Sequence, residues 1–305
     1  MTTLVFGHKS PDTDSTGSPL IWEWFLNHTG IGAKAALLGD PNTEAKFVAK
    51  RWGFDLPEVI KDVENEQSCV IVDTNNPAEL PDNIGNADVL AIIDHHKLAG
   101  GLETKNPINI TIRPLACTAT IMHQMMGEHA KHMPEGVKGL MLSCILSDTL
   151  AFRSPTTTEM DKGLAEDLAK DLGVEIESYA AEMFAAKSDV SAFSDAELLR
   201  MDSKEYAVDG KKFRVSVLET TTPNLVLDRK TSLMETMPTV AKEDGVDEVL
   251  LFVVDILKEE ATMLIPNDLT KGVAEKSFDA KVEGDSVVLP GIMSRKKQII
   301  PALKV

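Results

Sequence analysis

The chain has 305 residues, 26% of them charged and 43% hydrophobic, with a formal net charge of −17. That length predicts two domains, each able to bury its own core, and the negative field disfavours long nucleic acids and anionic membranes as partners. Aromatic residues make up only 5%, too few for a platform that stacks single strands, and no apolar run reaches the roughly 20 residues that cross a bilayer.

Thr3–Gly7 (TLVFG) reads as a strand and Pro19–Asn27 as a helix. Ala33–Leu38 is a second strand, Thr43–Trp52 a helix, and Ser68–Val72 and Asp88–Ile93 are continuous apolar runs, as strands covered on both faces require. Val137–Leu146 is too long and too rich in Leu and Met for a strand and reads as a buried helix, followed by helices over Thr158–Leu172 and Glu175–Ala186. This alternation predicts an α/β fold, an N-terminal doubly wound, mainly parallel sheet over residues 1–186. A polar hinge over 187–192 leads to a smaller α/β domain at 193–305, with strand-like Phe213–Glu219, helical Thr231–Asp244, apolar Glu248–Leu257 and Ala261–Ile265. No phosphate-cradling glycine motif of mononucleotide or dinucleotide binders occurs. Cys69, Cys117 and Cys144 have mostly apolar neighbours and form no C-x-x-C, so we expect buried reduced thiols. The opening MTTLVFGHKSPDTD lacks the pattern of a secretory signal. Both observations fit a cytoplasmic protein.

The chemistry lies where the histidines and aspartates fall. The first strand runs into G-H-K-S-P-D-T-D, giving His8, Asp12 and Asp14; two apart in an extended segment, the two aspartates would project to one side. The SCVIV strand ends in Asp73, the VLAII strand in Asp94, His95 and His96, and the apolar helix in Asp148. The ends of parallel strands converge on one crevice. Carboxylates crowded there cannot all stay ionised unless cations neutralise them. Oxygen and imidazole donors without thiolate suit Mn²⁺, Mg²⁺ or Co²⁺, and their number exceeds one tetrahedral site and fits two adjacent ions. Consecutive residues of an extended chain face opposite ways, so one of the pair can bind metal while the other faces the substrate or supports the site from behind; we assign His95 to metal and His96 to substrate. An aspartate after a strand is also commonly a helix cap or turn residue, but separate caps would not reproduce the joint pattern. His28, His123, His129 and His132 lie away from carboxylate clusters and read as structural or exposed. Near the C-terminus, S-R-K-K-Q sets a cationic knot of Arg295, Lys296 and Lys297 in this acidic chain, and Lys204 is a further candidate cation.

The ordered set G-H-x3-D-T-D, V-D-T-N, D-H-H, S-D-T and S-R-K-K-Q resembles the family II, manganese-dependent inorganic pyrophosphatases of the DHH phosphoesterase superfamily, across essentially the whole chain. D-H-H alone is shared with exonucleases and small-oligonucleotide phosphodiesterases of that superfamily, which usually carry a G-G-H-type motif in the second domain; none occurs here. The resemblance implies a hydrolase that splits pyrophosphate into two phosphates by a hydroxide bridging two Mn²⁺ per subunit. Co²⁺ or Mg²⁺ would substitute, and further Mg²⁺ would enter with the substrate. It implies that His8 and Asp12 bind one ion, that Asp14, His95 and Asp148 bind the other, and that Asp73 bridges them. His96, Lys204, Arg295 and Lys296 would hold pyrophosphate. It also implies a homodimer, and the spacing between Asp73 and Asp148 leaves no room for a nucleotide-binding regulatory insertion.

Overall fold

The computed structural model describes residues 2–187, 190 and 193–305, and the side chain of Lys296 falls outside that description. Two compact units result, Met1–Lys187 and Ser188–Val305. Of the hinge expected over 187–192, only Lys187 and Val190 lie among the described residues.

In the first unit, β1 (Thr3–Phe6), β2 (Ala33–Ala35), β3 (Ser68–Val72), β4 (Asp88–Asp94) and β5 (Asn109–Ile112) form one sheet in the order β2-β1-β3-β4-β5. Every pairing in it is parallel. The alternation of side chains divides two cores between its faces. Val70 and Val72 join Val5 and Ile93 on one side, while Cys69 and Ile71 join Phe6 and Ile92 on the other. Both faces are therefore covered, as the continuous apolar runs predict. Helices α1 (Thr13–His28), α3 (Thr118–Met126), α4 (Glu135–Asp148), α5 (Glu159–Leu172) and α6 (Ile176–Lys187) contribute to the first core, and α2 (Thr43–Arg51) adds Val48. Strand order reverses between β1 and β3, the place where a doubly wound sheet opens its crevice.

Three expectations need correction or extension. The first helix starts at Thr13, six residues before Pro19, because Asp12 caps it: its carboxylate accepts the Ser15 amide at 2.9 Å. The start was hidden because Ser15, Thr16, Gly17 and Ser18 are poor helix formers. Burial overrides propensity here, since every residue from Thr13 to Trp22 is buried. Asp12 and Asp14 thus sit at a helix start, not on an extended segment. Strand β5 and helix α3 carry too little periodic signal for the sequence to reveal them.

In the second unit, α7 (Asp195–Met201), β6 (Ser203–Val208), β7 (Lys211–Thr220), α8 (Asn224–Leu227), α9 (Lys230–Asp244), β8 (Glu248–Asp255), β9 (Glu260–Leu264), α10 (Asp268–Phe278) and β10 (Ser286–Pro290) follow in order. The sheet runs β10-β9-β8-β7-β6 and is mixed: β7 and β8 pair parallel, the other neighbours antiparallel. Strand β8 is buried throughout and feeds both faces, Leu250, Phe252 and Val254 into one core and Val249, Leu251 and Val253 into the other.

Candidate metal centre

The site is assembled from the C-terminal ends of β1, β3 and β4, the start of α1 and the end of α4. Gly7 turns the chain out of β1 where no side chain fits: an added Cβ would lie 2.0 Å from Ser15 Oγ and 2.8 Å from the Ser15 carbonyl oxygen. That closeness lets the His8 amide donate to Ser15 Oγ at 2.8 Å, so the cap of α1 and the placement of His8 are one piece of geometry.

Asp73 lies at the centre. It follows β3 with φ of 58°, a left-handed conformation that Asp tolerates better than most residues, and its amide donates to Ile93 O at 2.9 Å. Its two carboxylate oxygens face different neighbours. Oδ2 lies 3.6 Å from His8 Nε2, which is in turn 3.9 Å from Asp12 Oδ2. Oδ1 lies 3.3 Å from His95 Nε2, 3.8 Å from His96 Nδ1 and 3.1 Å from the Thr118 hydroxyl that donates to it. Asp12 serves twice, capping α1 with Oδ1 and turning Oδ2 to His8.

A third group forms behind. Asp14 accepts the Ser18 hydroxyl at 2.6 Å and the Thr118 amide at 2.7 Å. Its carboxylate, that of Asp148 and the Cys117 thiol lie close enough to share one ion. The sequence marks Cys117 only as a buried thiol; its position beside Asp14 and Asp148 comes from the fold, with no signal in spacing. Burial pushes its thiol well up, and the charges of Asp14 and Asp148 add to this.

His95 and His96 do not face opposite ways. Their ring centroids are 4.2 Å apart and both rings approach Asp73. Strand β4 ends at Asp94, so strict alternation stops one residue before the pair. His95 Nδ1 lies 3.3 Å from Leu115 O, which leaves Nε2 directed at Asp73. His96 Nδ1 lies 2.9 Å from Asp94 Oδ1. Burial raises the Asp94 carboxyl, but hydrogen bonds from the His96 ring and amide and from Asn75 outweigh it and hold the group below the usual carboxylate range.

Burial, and then repulsion from Asp14 and the other nearby carboxylates, pushes both Asp73 and Asp148 well above their ordinary range. Asp148 Oδ2 is buried and has no hydrogen-bond partner. A buried acceptor left unpaired, inside a cluster whose charges repel, is the kind of group a cation satisfies. The donor set therefore fits divalent ions. A cavity of about 520 Å³ within this unit opens beside His8 and His96 and is also lined by Lys9, Ser10, Asn76, Glu79 and Lys97.

In the second unit the S-R-K-K-Q segment is a braced turn. Ser294 Oγ accepts the Lys297 amide at 3.3 Å. Gln298 Oε1 accepts the amides of Met293 and Ser294, both at 2.9 Å, and Ile299 is fully buried. Ser and Gln thus fix the backbone on which Arg295 stands. Lys204 lies exposed on β6.

Two domain models match the chain, the DHH family N-terminal domain over residues 2–147 and the DHHA2 domain over residues 181–305. The "Probable manganese-dependent inorganic pyrophosphatase" of Lactobacillus helveticus is 36% identical over 302 residues, spanning 98% of this chain and 97% of the relative. The chain belongs to the family II, manganese-dependent inorganic pyrophosphatases. The protein of the same description from Bacillus mycoides is 36% identical over 301 residues, covering 98% and 97% of the two chains. Among solved structures, a candidate family II inorganic pyrophosphatase of Methanococcus jannaschii is 35% identical with a TM-score of 0.64, covering 99% of this chain and 98% of that one. The fold of this pyrophosphatase family, a parallel α/β unit followed by a second unit with its own sheet, is the one found here.

Proposed function

We propose that the protein hydrolyses inorganic pyrophosphate to two phosphates with two divalent ions, Mn²⁺ first among them. The carrying observation is the cluster around Asp73: each of its oxygens faces a separate set of donors, and buried carboxylates there repel one another. Full-length likeness to manganese-dependent pyrophosphatases supports the choice of substrate.

In this reading His8, Asp12 and Asp73 hold one ion and Asp14, Asp73, His95 and Asp148 the other. When bound, the ions supply neutralising charge and acidify a water for attack on phosphorus. Thr118 orients the central carboxylate and the Asp14 group by donating to both. Leu115 O and Asp94 fix the orientations of His95 and His96, and His96 donates to a phosphate oxygen. Lys204, Arg295 and Lys296 are the proposed cations for the substrate, opposing charge that grows on the phosphoryl oxygens and the leaving phosphate. Additional Mg²⁺ would accompany the substrate, and the working form is a cytoplasmic homodimer, whose dimeric state sedimentation tests.

The decisive assay compares phosphate release from pyrophosphate and from a short dinucleotide after chelation and add-back. The expected result is release from pyrophosphate alone, restored more by Mn²⁺ or Co²⁺ than by Mg²⁺. Turnover of the dinucleotide instead would move the protein to the phosphodiesterases of the superfamily, and metal binding without turnover would make it a regulatory module.

A further inference from the structure

Arg295 does not stand alone. Its Nη1 donates to the backbone carbonyl of Asp202 at 2.7 Å, and its Nη2 lies 2.7 Å from Asp202 Oδ1. The arginine side chain is 16% exposed, whereas that of Asp202 is 54% exposed. The Asp202 carbonyl is itself fixed, because it also accepts the amide of Val217 on β7 at 2.9 Å. Asp202 closes α7, and two residues later Lys204 stands on β6, paired in register with Val215.

We propose that Asp202 is a positioning residue for pyrophosphate binding, resting on the functional reading above. It clamps the Arg295 guanidinium against the strand end that carries Lys204. A guanidinium has five N–H donors in a fixed plane. Asp202 takes two and leaves three, in a set orientation, for phosphate oxygens. A free arginine would lose rotamer entropy on gripping the substrate; held in advance, it does not. The clamp also ties the S-R-K-K-Q segment to the start of β6, two residues before Lys204, across most of the second unit's sequence.

The test is a double-mutant cycle on the full chain loaded with Mn²⁺. Asp202→Ala, Asp202→Asn, Arg295→Ala and the double Ala variant are compared for KM and kcat with pyrophosphate, for Mn²⁺ content, and for affinity toward imidodiphosphate by calorimetry. Losing a charge-assisted clamp predicts a KM raised roughly tenfold in Asp202→Ala, with kcat changed less and Mn²⁺ content unchanged. Asp202→Asn keeps the shape and a side-chain oxygen acceptor, and recovers part of the loss. In the Arg295→Ala background, removing Asp202 adds nothing. An unchanged or lowered KM, or losses that simply add, overturns the proposal. Imidodiphosphate affinity must follow KM. If the unaltered chain hydrolyses pyrophosphate while the Asp202 variants match it, the clamp alone is wrong; if the unaltered chain releases no phosphate, the functional reading has failed first.

Discussion

Asp73 combines several unfavourable conditions in one residue. Its backbone is left-handed, a conformation with a steric cost that is smaller for Asp than for most residues, its side chain is 1% exposed, and neighbouring carboxylates repel it. Such strain persists where the surroundings over-determine the residue and function needs it. Asp73→Asn keeps the shape but removes the charge facing both donor sets, so we expect Mn²⁺ content measured by atomic absorption to fall for both ions. Retention of two ions by that variant would end the bridging assignment. The same electrostatics set a pH dependence. A carboxylate whose folded pKa lies above its unfolded value holds its proton more tightly when folded, so stability falls as pH rises from the ordinary 3.8 toward the raised value. The chelated protein should therefore lose denaturant resistance across that window, and saturating Mn²⁺ should abolish the loss. A chelated protein that gains stability over the same range would contradict the buried repulsion.

At the scale of elements, α1 and α4 carry most of the burden. Helix α1 enters the site through its cap, and its buried first half packs close to α4: a Cβ on Gly17 would fall 2.5 Å from Cys144 Sγ. Helix α4 delivers Asp148 as its last residue and is followed by an unusual turn. Leu150, Ala151 and Phe152 all have positive φ, at 49°, 50° and 71°. The turn is held by the Ala151 amide donating to Leu146 O at 2.9 Å and the Ser154 amide donating to Thr149 O at 2.8 Å. All three side chains pack on the first core. The apolar packing of this segment compensates the backbone strain. Glycine pays no steric penalty there but loses more entropy on folding. Ala151→Gly should therefore stabilise by about 0.5–1 kcal/mol, the left-handed penalty less the entropy difference. Urea unfolding measures this, and a destabilised variant would mean that the alanine methyl matters more to packing than the backbone strain it causes.

At the scale of the molecule, each unit has its own sheet with a core on either face. All six proposed metal donors belong to Met1–Lys187, while Lys204, Arg295 and Lys296 belong to Ser188–Val305. Metal binding should then stabilise one unit and not the other. Ligand at about a thousand times its dissociation constant adds roughly 4 kcal/mol to the state that binds it. Scanning calorimetry should resolve two transitions, and chelation should lower only one of them. Both transitions shifting together would mean that the units unfold as one.

The strands β1, β3 and β4 were legible because apolar runs bounded by polar residues admit one reading, and the proposed metal donors His8, Asp73 and His95 were legible because they follow those strand ends closely in the chain. Arg295 stands out because a cationic knot is rare in so acidic a sequence. Resemblance, not spacing, gave the separate roles, and the comparisons bear out the family. The tertiary structure decided what depends on packing and distance. It started α1 at the Asp12 cap despite weak propensity, turned His95 and His96 to the same carboxylate, and brought Cys117 beside Asp14 and Asp148. It also seated Arg295 on Asp202, 93 residues away along the chain. Local pattern determines which residues emerge at the end of a buried strand, because burial has a period that the sequence carries. Which atoms meet across the crevice depends on backbone turns and close approaches between distant segments, and no periodicity encodes those.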